Sequence, residues 1–265
     1  MAENETHLSG GEIDTHFHSL HVQNRDLDVR GVLRDCFNAG LNACVDVGVS
    51  EQDIDERYDL IGDIPQVSFA HGLYPSNADR DDLESALSTI EQALSRSRTV
   101  AVGEIGMDRY RDYATPELQR VLLIRQVEIA NRHNLPVIIH NRDAEEELLQ
   151  AFAECTPECE SIMHCYSGPS GYVHRFLDLG FSFSFGGNVT FKNAQNIREA
   201  MMQVPLDRLM LETDAPYLAP HPRRGRTNHP GLIGHTYDAV SETRGISRRE
   251  LVEAAADNAA RVFGI

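Results

Sequence analysis

Along the chain, short apolar and β-branched runs alternate with longer stretches whose apolar positions recur every three or four residues. The short runs fall near 12–18, 43–49, 67–73, 99–105, 136–140, 161–165, 181–185 and 208–213, each the length of a buried strand. Between them the helical period is explicit. Leu83, Ala86, Leu87, Ile90 and Leu94 share one helix face. Thr115-Pro116 reads as an N-cap followed by proline at the first helical position, and Ser247-Arg-Arg-Glu250 reads as a capping box. Strand candidates from Asp14 to Glu212 recur roughly every 28 residues, close to one βα unit of ~30. The pattern predicts an α/β fold, a (β/α)8 TIM barrel, with an open doubly wound sheet as the alternative. One barrel domain is expected over 12–265, behind a short tail at 1–11, and 265 residues suffice for one barrel.

Composition narrows the class. At 41% apolar residues the chain can bury a full core, yet no run approaches the ~18 residues of a membrane helix. The start, Met1-Ala-Glu-Asn-Glu, is acidic where a secretory signal would be basic and then apolar. Five cysteines at 36, 44, 155, 159 and 165 lack paired spacing and read as reduced thiols. A cytoplasmic protein with no membrane and no obligate protein partner is expected. The formal charge of −17 denies it a general attraction to nucleic acid. Any nucleic-acid activity needs a local positive feature, bound metal or clustered arginines.

A barrel carries its chemistry at the C-terminal ends of its strands. Asp14-Thr-His16-Phe-His18 ends the first strand candidate, with two histidines on one side. Glu104 ends the fourth in TVAVGEIGMD, His140 the fifth in LPVIIHNRDA, His164 the sixth in SIMHCYSG and Asp214 the eighth in RLMLETDAPYL. Singly, each has a structural use as a hydrogen-bonded histidine, an ion-pair partner or a cap. Jointly they put a ligand-type residue on five of eight strand ends, a donor set for two divalent ions of the Zn, Mn, Fe or Mg class. His7, His21, His133, His174 and His235 lack that context and read as surface or satisfied residues, and without CxxC spacing no structural zinc is expected.

The motifs DTHFH, VGEIGMD, LPVIIHNRDA, MHCYSG and LETDAPYLAP closely resemble the TatD family of metal-dependent hydrolases, part of the amidohydrolase-like barrels, in family order from Asp14 to the C-terminus. The resemblance implies a distorted TIM barrel and a deoxyribonuclease, often 3′-to-5′ exonucleolytic on single strands, with DNA as substrate. It implies two divalent ions (Mg, Mn or Zn), one held by His16, His18, Glu104 and Asp214, the second by Glu104, His140 and His164, with Glu104 bridging. Two such ions sharing a water lower its pKa for in-line attack on phosphorus. Asp214 is the expected proton acceptor, so Glu104 and Asp214 are the expected catalytic residues. Asp14, Asn141 and Asp143 are candidates to orient the imidazoles.

Substrate contacts are drawn from three places. Arg142 can clamp a phosphate or serve structurally. Arg223, Arg224 and Arg226 form the one dense basic cluster in the sequence, either an electrostatic foothold or a solvated loop. Tyr166 can stack on a base or pack. Two segments depart from the family pattern: Gly72-Leu-Tyr74-Pro75-Ser76 stands where many relatives read GxHPH, and Asn228-His229-Pro230 where many read Asn-Glu-Pro. Both touch the expected mouth of the barrel rather than the ligands. The alternative function keeps the metals and changes the bond, to an ester or amide such as a D-aminoacyl-tRNA; a scaffold without activity is the other class.

Overall fold

The computed structural model describes residues 5–265; residues 1–4, which include most of the acidic start and part of the expected tail, lie outside the described residues. Eight strands, β1 (Ile13–Phe17), β2 (Ala43–Val47), β3 (Val67–His71), β4 (Thr99–Asp108), β5 (Val137–Arg142), β6 (Ser161–Met163), β7 (Phe181–Phe185) and β8 (Leu209–Leu211), pair in sequence order. All neighbouring pairs are parallel. The helices among the described residues are α1 (Ser19–Gln23), α2 (Val29–Asn38), α3 (Ile54–Ile61), α4 (Leu83–Ala93), α5 (Pro116–His133), α6 (Glu145–Glu154), α7 (Val173–Asp178), α8 (Gln195–Gln203), α9 (Ile233–Arg244) and α10 (Arg248–Phe263). The seam between β8 and β1 closes just past the strands, through a parallel bridge of Phe17 with Ala215 and bonds from Asp214 N to His16 O and from His18 N to Ala215 O. This is the (β/α)8 barrel expected, and the doubly wound alternative falls away. No helix among the described residues is long and apolar enough to cross a membrane.

Local signals act as read. Thr115 accepts from Leu118 N with Pro116 following it, and Ser247 accepts from Glu250 N. The face of α4 buries Ala86, Leu87 and Ile90. Side-chain alternation along the strands then sorts the core into two layers. Phe, Leu and Ile side chains fill the space between strands and helices. Ile13, Ala43, Val45, Val47, Ala70, Ala101, Ile138 and Ile162, small or branched, fill the barrel itself with Met210, where Val262 and Phe263 of α10 join them.

One buried ionic network underpins the β1–β3 side. Arg57, 2% exposed, donates to Asp46 Oδ2 at 2.7 Å, to the Asp46 and Ala70 carbonyls and to Asp53. Asp46 Oδ1 accepts from Ser19 N at 2.7 Å, which fixes the chain immediately after His18. His71 lies 3.4 Å from the same guanidinium, and burial, then Arg57, push it down to about 3.

Replacing Arg57 with Met leaves Asp46 buried and unpaired; urea denaturation is expected to show a loss of about 3–5 kcal/mol, with part recovered when Asp46→Asn is added. His71 is neutral in the folded chain over a range where the unfolded chain binds a proton. Its contribution is therefore whole above about pH 6.5 and is lost as pH falls toward 3, by up to about 1.4 kcal/mol per pH unit. His71→Gln should flatten the fall of stability across that window; an unchanged slope would assign it to other groups.

Candidate metal centre

The mouth of the barrel gathers His16, His18, Glu104, His140, His164 and Asp214 from β1, β4, β5, β6 and β8; Glu104 lies within β4, which runs on to Asp108, and not at its expected end. Glu104 lies at the middle. Its Oε2 stands 3.6 Å from both His16 Nε2 and His18 Nε2, while its Oε1 stands 2.8 Å from His140 Nδ1 and 3.0 Å from His164 Nε2. Asp214 Oδ1 is 3.5 Å from His18 Nε2, and the two Nε2 atoms of His16 and His18 are 3.2 Å apart. Donors about 2.1 Å from a tetrahedral ion stand about 3.4 Å from one another, so the spacing on the His16–His18–Asp214 side suits a small divalent cation.

Ring orientation sorts the imidazoles. An ion lies in the plane of each ring that ligates it, so rings stacked face to face aim their lone pairs side by side and not at one point. His16 and His164 stack at 4.0 Å and 13°, whereas His16 and His18 meet at 81°. His16 thus groups with His18, and His164 with His140, one pair on each oxygen of Glu104. The same test disposes of a second donor group, His7, His235 and Asp238. Its rings are parallel within 4° at 4.0 Å, so they do not converge.

Three of the four imidazoles are oriented by their second nitrogen. His18 Nδ1 donates to the Val47 carbonyl at 2.8 Å, and His164 Nδ1 to Glu212 Oε1 at 3.1 Å. Glu212 is itself held by the Ser184 hydroxyl. His140 turns Nδ1 inward and shares Nε2–H between Tyr74 Oη at 3.0 Å and Asp108 Oδ2 at 3.3 Å. His16 Nδ1 has no partner among the described residues. Asp14 closes the frame from behind, accepting from Thr213 N at 2.9 Å, Thr213 Oγ1 at 2.6 Å and His16 N, which ties β1 to the turn carrying Asp214. Asp214 adopts φ 53°, a left-handed conformation that aspartate tolerates better than most residues.

The electrostatics ask for a cation. Burial alone would raise the Glu104 carboxyl, but His164, His140 and His16 hold it well below the usual range. Burial would lower His18, but Asp214 and Glu104 outweigh it and push the imidazole up to about 9. Glu104 and Glu212 raise His164 against burial in the same way. A field that favours a proton on an imidazole also favours a divalent ion beside it, so the donor set fits a metal centre by charge as well as by spacing.

The model of the family described as TatD related DNase matches residues 13–264. The chain belongs to the TatD family of metal-dependent hydrolases. It is 33% identical over 253 residues to the uncharacterized metal-dependent hydrolase YabD of Bacillus subtilis, covering 95% of this chain and 98% of that one. It is 34% identical over 257 residues to the uncharacterized metal-dependent hydrolase YcfH of Escherichia coli, covering 96% of each. Among solved structures, the TatD homologue YjjV of E. coli superposes with a TM-score of 0.88 at 28% identity, covering 96% of this chain and 98% of that one.

Other expected TatD-site residues fare unevenly. Tyr166 is a correction: its ring is buried edge-on to Phe183 and its hydroxyl donates to the Pro169 carbonyl, so no base can stack on it. The expected orienting residues also change. Asn141 binds Glu145 and the start of α6, Asp143 is exposed, and Asp14 holds backbone and the Thr213 hydroxyl. Asp108, Glu212 and the Val47 carbonyl orient the imidazoles instead. Arg142 is exposed, its guanidinium 3.8 Å above the Tyr110 ring. Arg223 pairs with Glu5, Arg224 lies 3.7 Å over Phe191 and Arg226 is exposed. His21, expected to be uninvolved, stacks obliquely 5.0 Å from His18. Asp108 and Glu212 sit inside VGEIGMD and LETDAPYLAP, so the motifs held the signal without showing which atoms they face.

Titrating metal-stripped protein with Mn or Zn should show Glu212→Gln and Asp108→Asn each weakening affinity about 10- to 100-fold, the usual effect of losing a carboxylate behind a ligating histidine. Unchanged affinity in both would make these contacts incidental.

Proposed function

We propose that this TatD-family hydrolase is a deoxyribonuclease that shortens single-stranded DNA from its 3′ end, using two divalent ions. The observation that carries the reading is the division of Glu104: one carboxylate oxygen for His16 and His18, the other for His140 and His164. His16, His18, Glu104 and Asp214 would hold one ion, and Glu104, His140 and His164 the other. When bound, such a pair supplies Lewis acidity that activates water and offsets the charge gathering on a phosphoryl group. A phosphodiester gains most from this, because charge develops on both the entering and leaving oxygens.

The chain's own groups do the rest. Asp214 sits at the rim of the donor set, 15% exposed, and its carboxylate takes the proton from the attacking water. Its backbone is fixed by the bond to His16 O and by Tyr217 N donating to Asp214 O, so the acceptor does not swing away. Arg142 lies two residues past His140, held flat against Tyr110, and offers a fork of N–H donors to a phosphate outside the reacting centre. Val47, Asp108 and Glu212 keep the imidazoles aimed, which avoids reorganisation during the reaction.

End-labelled single strands given to metal-stripped protein reloaded with Mg, Mn or Zn test this. Wild type should remove nucleotides stepwise from the 3′ end. Glu104→Ala should lose activity about 10³-fold or more, as several kcal/mol of charge stabilisation disappears, and bind less metal while remaining folded. Wild-type turnover in Glu104→Ala would overturn the two-ion reading. Metal binding without cleavage of any strand would overturn the nuclease reading and move the search to carbonyl esters, aminoacyl-tRNA among them.

A further inference from the structure

With Tyr166 buried, other aromatic surface at the mouth has to be accounted for. Exposed large hydrophobic side chains are few among the described residues, and three of them, Tyr110, Tyr113 and Tyr217, lie in the loops that follow β4 and β8, next to the Glu104 and Asp214 strand ends. Tyr110 already carries the Arg142 guanidinium on its ring. Tyr113 and Tyr217, 37% and 42% exposed, remain.

Each of these two packs beside the metal centre. Tyr113 meets Tyr74 edge-to-face at 5.8 Å, and Tyr74 hydrogen-bonds His140. Tyr217 meets His18 edge-on at 6.1 Å, with its hydroxyl 3.2 Å from His21 Nδ1. Both rings keep more than a third of their surface exposed and so can take a further ring. The two tyrosines thus flank the donor set from opposite sides, one at the His140 side and one at the His18 side.

We propose that Tyr113 and Tyr217 form an aromatic clamp that grips the unpaired bases on either side of the scissile phosphate. The proposal rests on the nuclease reading and deepens it. Paired bases present only their edges, so a clamp of ring faces selects single strands, and stacking on any base makes it tolerant of sequence. It also supplies attraction independent of charge, which a protein of −17 needs.

The test compares the metal-loaded enzyme on two single-stranded oligonucleotides, one intact and one with abasic residues flanking the first bond to be cut. The quantity read is the ratio of kcat/KM, intact over abasic. Wild type should favour the intact strand about 25-fold or more, since each of the two stacked bases is worth about 5- to 150-fold. Tyr113→Leu and Tyr217→Leu should each lower the ratio, the double variant should bring it close to one, and Tyr217→Phe should retain it. A ratio of one in wild type, or a ratio that survives in the double Leu variant, overturns the clamp while leaving the nuclease standing. No cleavage of either strand overturns the nuclease reading itself, and the clamp with it.

Discussion

The centre of this barrel depends on a surplus of negative charge placed where water cannot reach it. Glu104, Glu212 and Asp108 are each 3% exposed or less, and Asp214 sits at their rim. Buried carboxylates are tolerated only when paired, and the partners at hand are imidazoles. His18, at about 9, and His164, well above its ordinary value, hold protons more tightly than usual, whereas burial and the neighbouring His164 lower His16. Glu104, by contrast, is kept ionised by its surroundings. The cluster therefore favours a loaded state, and a metal entering it would displace the protons these imidazoles hold.

The rest of the fold serves to hold that charge still. Val262 and Phe263 pack with the small residues that fill the barrel interior. The Asp14–Thr213 contacts close the seam and bring the two histidines of β1 against Asp214. Arg57 and Asp46 secure the chain just past His18. These are separate devices on separate elements. A centre assembled from five strands has no single element to hold it, so its geometry is distributed over the whole barrel.

Strand positions were legible because buried parallel strands write themselves as apolar runs, and all eight lie where those runs fall. The six donors were legible because a strand end in a barrel implies a direction. What stayed hidden depends on register between strands. Whether Glu212 faces His164 or solvent follows from how β8 lies against β7 and β6, which no local pattern records. Tyr166 was misplaced for a related reason. β6 stops at Met163, and Cys165 turns the chain with φ 44°, so the tyrosine swings back into the outer core. Tyr74, noted only as a departure from the family pattern, lies against His140 because the loop after β3 folds over β5, a contact 66 residues apart.

The acidic surface then bears on how a polyanion approaches at all. Charge on the far side of the barrel is screened beyond about 8–10 Å at physiological salt, so the incoming phosphate responds mainly to what lies at the mouth. There the donor set fits divalent cations, and Arg142 stands in the open. The arginines at 223 and 224 are partly spent, one on Glu5 and one on Phe191. Attraction that short-ranged and that local cannot hold a long duplex by its backbone. It suits instead a strand end, where one phosphate reaches the centre and the neighbouring bases are free to find an aromatic face. On the proposed nuclease reading, a repulsive body with a small attractive mouth favours ends over interiors, as stepwise removal of nucleotides requires.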